Sequence, residues 1–231
     1  MLFFLCRKNQ GGILGRIARV VVPGYPHHVT QRGSRRQKTF LQEADYLLYL
    51  TLMAKHCQLH DVEVWAYCLM PNHVHLIVVP STIDGLARAI GGAHRSYAVR
   101  VNEREGWRGH LWQERFSSFV MDESYLLSAV RYVELNPVRG GLVEDPGNYK
   151  WSSASAHLAQ NDDLLVKVRP MLDRIPSWED YLAAEGGEVN NFIHKHGKTG
   201  RPLGRKEFVS GLEKMLGRSL QPQKPGRRKR K

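Results

Sequence analysis

Cysteine is scarce in this sequence. Its 231 residues hold three, Cys6, Cys57 and Cys68, and no C-x-x-C occurs. An odd, scattered set speaks against a disulfide framework or a cysteine-built zinc site, and fits a reducing cytoplasm. Long hydrophobic runs are missing too. Nothing approaches the roughly 18–20 apolar residues of a membrane span, so no membrane partner is expected. The opening MLFFLC is too short for a signal-peptide core, and Arg7 and Lys8 follow it instead of preceding it. Residues 1–17 therefore read as a loose, disordered leader. Acidic residues are also in short supply: 22 Asp and Glu face 34 Lys and Arg, giving a net charge of +12 and a pI near 9.8. The excess favours polyanionic partners, because Lys and Arg that neutralise phosphates release condensed counterions. A solvated basic surface is the plainer alternative.

What is present suits one sizeable domain with an appendage. His28 to Gln31 reads as a strand, followed by the basic loop RGSRR. Leu47, Leu50, Leu52, Met53 and Cys57 mark a helix over 43–60. VEVWAYCLM (62–70) and HVHLIVV (73–79) form a hairpin around Pro71-Asn72. Residues 84–105 read as a helix bearing Arg88, His94, Arg95, Arg100 and Arg104, and 115–121 as a strand. The clearest helix covers 122–138, with Asp122 as N-cap and Pro137 ending the pattern. This order predicts an α+β fold, helices packed on a mostly antiparallel sheet. There is no internal repeat. The texture changes near residue 160. NDD reads as a linker, 194–208 as a basic loop, 206–216 as a helix, and the end as a disordered basic tail. The expected division is thus 1–17, 18–160, and a basic, mainly helical extension over 161–231, a candidate DNA-binding appendage.

Residues 70–79, MPNHVHLIVV, raise the chemical question. In a strand, i and i+2 face the same side, so His73 and His75 point together while Val74 points away. Two adjacent imidazoles resist double protonation, so a shared metal ion or a neutral state is expected. With eleven histidines in the chain, H-x-H also arises by chance. His194 and His196 are a second instance, read as part of a solvated basic loop. Tyr132 and Asn136 stand four apart, on one helical face, where an amide oxygen is a reasonable hard-cation ligand. Taken alone, Tyr132 reads better as an ordinary packing tyrosine, and spacing does not choose among the chain's nine.

Taken together, HVTQRG (28–33), VWAYCLMPNHVHLIVVP (64–80), GHLWQERF (109–116) and RYVELNPVRGGLV (131–143) are specific. Over residues 18–160 the chain resembles the single-tyrosine HUH transposases of the IS200 class, closest to the REP-associated tyrosine transposases of bacteria. The resemblance implies an RNase-like α+β fold with a central antiparallel sheet. It implies that His73 and His75 are metal ligands, that Asn136 is the third where relatives often carry Gln, and that Tyr132 is the nucleophile. The implied cofactor is Mg²⁺ or Mn²⁺. The implied reaction is cleavage and rejoining of single-stranded hairpin DNA of REP type through a 5′-phosphotyrosine, by a cytoplasmic monomer or homodimer. Arg32, Arg35, Arg36, Arg95 and Arg115 are the candidate phosphate contacts, and Trp112 or Trp107 the candidate base-stacking platform. The alternatives are a hairpin-binding protein whose chemistry has lapsed, a replication-type nickase, and a metallohydrolase without a covalent step.

Overall fold

The computed structural model describes residues 17–184 and 189–221. The expected leader, but for Ile17, and the basic tail lie outside these residues. The elements in order are β1 His27–Arg32, α1 Glu43–Leu59, β2 Val62–Met70, β3 His73–Pro80, α2 Gly85–Glu105, β4 Ser117–Val120, α3 Glu123–Glu134 and α4 Asn136–Arg139. Then come α5 Ala154–Leu158, α6 Arg169–Leu172, α7 Trp178–Ala183, α8 Val189–Thr199 and α9 Lys206–Leu216. The four strands form one antiparallel sheet in the order β2-β3-β1-β4. The expected α+β architecture is present, with helices on both sheet faces.

Strand alternation explains those two faces. Val29, Val74, Leu76 and Val78 point one way, into a core closed by α1 and α2. Ile77, Phe119, Cys68 and Met70 point the other way, under α3 and α7. An irregularity between Val64 and Ala66 shifts the phase of β2, so that Val64 and Tyr67 share the first face while Ala66 and Cys68 share the second. His73 and His75 stand on the second face. The α2 helix covers the first, so Arg95, a candidate phosphate contact, is carried on the sheet face away from the histidine pair. Arg104 is moreover spent on the buried Asp45, which also accepts from the Leu41 and Gln42 backbone N–H groups at the start of α1. The Arg104 guanidinium holds the Asp45 carboxyl below its usual range against the opposing effect of burial.

The 122–138 helix is two pieces. Asp122 caps α3 as expected, accepting from Ser124 N at 3.0 Å. The chain then leaves helical geometry at Leu135 (φ −85°, ψ 1°) and restarts with Pro137 in the first turn of α4. Proline lacks an N–H and is tolerated only at such a start.

Residues 161–163, expected as a linker, are instead tied down. The Asp163 carboxylate accepts from Tyr67 Oη at 2.6 Å and from the Leu165 and Val166 backbone, and Asp162 accepts from Val168 N. Leu165, Val166 and Val168 then enter the first core. The later chain also covers both sheet edges. Trp151–Ser153 and Lys167 pair with β2, and Leu203 pairs with the backbone around Val120 and Asp122. An edge strand left bare offers unpaired backbone to other chains, so this covering has a clear use.

Buried histidines, His27 and His94 among them, make stability depend on pH. His27 accepts from Val22 N through Nε2 and donates from Nδ1 to Tyr25 O, and burial pushes its pKa down to about 4. His94, held by Tyr49 Oη at 2.9 Å, is pushed down to about 3. The unfolded chain binds these protons near pH 6.5, the folded one does not, so it is the unfolded state that gains as pH falls. Stability should be level above about pH 7 and drop by about 1.4 kcal/mol per unit for each group between 6.5 and its folded value. Urea midpoints at pH 7.5, 6 and 5 check this; equal midpoints would contradict neutral burial of these rings.

Candidate active site

The turn Pro71-Asn72 delivers His73 and His75 to the open end of the sheet. Asn72 Oδ1 accepts from His73 Nδ1 at 2.6 Å, while Asn72 Nδ2 donates to Arg36 O, which fixes the amide's orientation. The lone pair of His73 is thereby left on Nε2. His75 Nδ1 lies 3.0 Å from His28 Nε2, and the two rings stack with centroids 5.2 Å apart. The His73 and His75 rings lie 5.0 Å apart and nearly perpendicular. Burial, assisted by Arg32, lowers His73 to about 4. Burial and then the neighbouring His28 and His73 hold His75 well below the ordinary histidine value. Both rings are therefore neutral at physiological pH, the form in which imidazole binds a metal.

Tyr132, on α3, brings its ring to 5.5 Å from His75 and 6.2 Å from His28, edge-on to both. Burial pushes its phenol pKa up, while Arg139 and Arg32 pull the other way. Asn136 Nδ2 donates to Tyr132 O at 2.8 Å, capping the end of α3. That leaves the amide oxygen as the atom free for a ligand. Two neutral imidazoles and one amide oxygen are groups that could hold a divalent ion with coordination positions left open.

These groups line an open cleft of about 660 Å³. Arg32, Arg115, Arg139 and Lys198 supply positive charge to its walls. Of the expected phosphate contacts, Arg32 and Arg115 are thus at the cleft. Arg35 and Arg36 are exposed in the turn after β1, outside the cleft wall, and Arg95 is on α2 against the other sheet face. Trp112 does not offer a stacking face. It is buried between His94, Tyr97 and Tyr49, with its indole N–H donated to His94 O at 3.0 Å. Trp107 remains exposed beyond the end of α2.

His28, Arg139, His194 and Lys198 line the cleft, and sequence reasoning did not single them out for the site. His28 and Arg139 lie inside the motif segments, yet nothing in their spacing marks them. Arg139 donates to Tyr132 O at 2.8 Å and holds its guanidinium 5.1 Å from the Tyr132 ring centre. His194 was assigned to a solvated loop. It stands instead in α8, with Nε2 3.5 Å from Tyr132 Oη. In a helix, i and i+2 diverge, so His196 points elsewhere, against Phe119 and the Arg201 carbonyl.

Residues 22–136 match the family model described as "Transposase IS200 like". A protein of Haemophilus influenzae named as a REP-associated tyrosine transposase is 25% identical over 130 residues, which span 51% of this chain and 73% of that one. A solved structure of the REP-associated tyrosine transposase bound to a REP hairpin shares the fold. The TM-score is 0.52 at 19% identity, covering 67% of this chain and 93% of that one.

Proposed function

We propose that this chain, whose residues 22–136 belong to the IS200-like transposase family, is a tyrosine nuclease and strand-transferase acting on single-stranded hairpin DNA. The observation that carries the reading is one cleft in which Tyr132 stands beside the His73–His75 pair, with arginines on the walls. Tyr132 Oη forms a bond to the scissile phosphorus, and the 3′-oxygen departs with the electron pair. One phosphodiester replaces another of similar energy, so rejoining by an incoming 3′-hydroxyl needs no added energy source.

His73, His75 and Asn136 would hold a Mg²⁺ or Mn²⁺ ion. Such an ion would polarise a non-bridging phosphate oxygen and stabilise the charge that develops there. Arg139 fixes the Tyr132 backbone and places positive charge beside its ring. Arg32, Arg115 and Lys198 attract and align the backbone of the strand. REP-type hairpin DNA as substrate is supported by the names of the relatives.

A denaturing gel tests the reading. Wild-type protein, Mn²⁺ and an end-labelled library of single-stranded hairpins should yield label attached to protein, and chelation should abolish it. Hairpin binding with no adduct on any substrate would favour a lapsed binding protein instead.

His28 sets the tautomer of His75. Metal ligation through Nε2 requires the His75 proton on Nδ1, and in that tautomer His28 Nε2, 3.0 Å away, is its acceptor. Outer hydrogen-bond partners of this kind are worth 10–100-fold in metal affinity. His28→Phe, which preserves packing against Phe119, should weaken Mn²⁺ binding by about tenfold or more. Mn²⁺ electron spin resonance titration reads this directly; unaltered affinity would remove His28 from the site.

A further inference from the structure

The extension beyond the family match supplies a side chain to the nucleophile. We infer that His194 is a catalytic residue, the proton acceptor for Tyr132 in strand cleavage and the donor that restores the phenol on rejoining. This rests on the tyrosine-nuclease reading and deepens it.

An ordinary phenol loses its proton only near pH 10. Near neutral pH the Tyr132 proton therefore needs a local acceptor. Arg139 cannot serve, since it is itself a donor, and its hydrogen bond goes to the Tyr132 carbonyl. His28 and His75 meet Tyr132 ring edge to ring face, and the Nδ1 of His75 is engaged with His28. His194 Nε2 is the hydrogen-bond partner of the hydroxyl itself, at 3.5 Å, with the rings perpendicular and 5.8 Å apart. That distance is long for a resting hydrogen bond, as catalytic contacts without substrate often are. The imidazole is exposed on the cleft wall, so its protonated form is solvated while it holds the proton for rejoining.

Its position is built into the fold. Ile193 is buried in the core shared with α3, and α8 packs on α3, β4 and β1. Ser117 Oγ donates to Gly197 O, and Ile17 N donates to Thr199 O. These contacts hold the helix on both sides of His194.

The step balances as follows. The Tyr132 Oη–H proton moves to His194 Nε2 as the Oη–P bond forms. The P–O3′ bond breaks, and the departing 3′-oxygen takes a proton from water. In rejoining, an incoming 3′-hydroxyl loses its proton to water and bonds to phosphorus. The Oη–P bond then breaks, and the imidazolium returns its proton to Oη.

Single-turnover adduct formation by the full chain, with Mn²⁺ and a labelled single-stranded hairpin, tests this. A positioned general base contributes about 10²–10⁴-fold. His194→Ala should lower the adduct rate by about 10²-fold or more while hairpin affinity and the thermal midpoint stay near wild type. Added imidazole should raise the His194→Ala rate in a concentration-dependent way and leave Tyr132→Phe inactive. His194→Gln, which keeps a polar side chain but no base, should be as slow as His194→Ala. A wild-type rate in His194→Ala, or full activity in His194→Gln, would overturn the assignment and leave the nuclease reading intact. Absence of adduct from the wild-type protein would overturn the nuclease reading, and the His194 step with it.

Discussion

Replacing Tyr132 with Phe should abolish the covalent protein–DNA adduct and spare hairpin binding. The adduct requires the phenol oxygen as nucleophile, and removal of a nucleophile costs at least about 10⁴-fold in systems of this kind. The ring itself is retained. Its edge-on contacts with His75 and His28 do not involve the hydroxyl, and neither does the hydrogen bond from Asn136 to the Tyr132 carbonyl. The one hydroxyl contact among the described residues, to His194 at 3.5 Å, is long. Stability should therefore change by less than about 1 kcal/mol, and DNA affinity by little, because the cleft arginines are untouched. Label on the Tyr132→Phe protein would place the nucleophile elsewhere. Tyr125 is on the same helix but does not line the cleft, so such a result would also count against this cleft as the active site. A cleaved strand without adduct in the same variant would mark a metallohydrolase.

The second large effect concerns folding. Glu134 is fully buried two residues past Tyr132. Its Oε1 accepts from Ser153 Oγ and from His157 Nδ1 at 2.7 Å, and its Oε2 accepts from Trp178 Nε1 at 2.9 Å. Trp178 and His157 also stack, 4.3 Å apart. One carboxyl group thus joins the end of α3 to α5 and α7. Glu134→Ala strands up to three buried polar groups and opens a cavity among them. Removing one partner from a buried polar cluster costs about 3–5 kcal/mol, so the urea midpoint should fall sharply. Glu134→Gln puts a donor where an acceptor is needed and should recover only part of that loss. The adduct rate should fall along with stability, because the α3 terminus carries Tyr132. A change below about 1 kcal/mol in Glu134→Ala would show that the apolar contacts of α3 hold the helix unaided.

Much of this was open to reading along the chain, for reasons that are local. The β2–β3 hairpin announces itself through β-branched runs around a Pro-Asn turn, and period-two alternation commits His73 and His75 to one face. Asp122 is a helix cap because a short side-chain oxygen reaches the N–H groups just ahead of it in sequence. The family motifs are contiguous segments, so Tyr132 and Asn136 could be named before any coordinates.

Other features depend on chain segments far apart in sequence. Trp112 looks like a base-stacking platform until Tyr49, Tyr97 and His94 close around it. Asp162 and Asp163 have the composition of a linker, yet they bind Tyr67 and the backbone of residues 165–168. Composition reports what a segment could do in water, and tertiary contact replaces water with specific donors.

The sequence by itself determined the strand-borne histidine pair, the α+β order, the basic charge and the motif segments, because each depends on neighbours within a few residues or on totals. Only the tertiary structure decided that β1 lies beside β3 and brings His28 to His75. It also decided that α2 lies on the far side of the sheet from the histidines, and that α8 carries His194 to Tyr132 across 62 positions of sequence. Packing of α8 on α3 and the β1–β3 ladder fix those distances, and no periodicity along the chain encodes either contact.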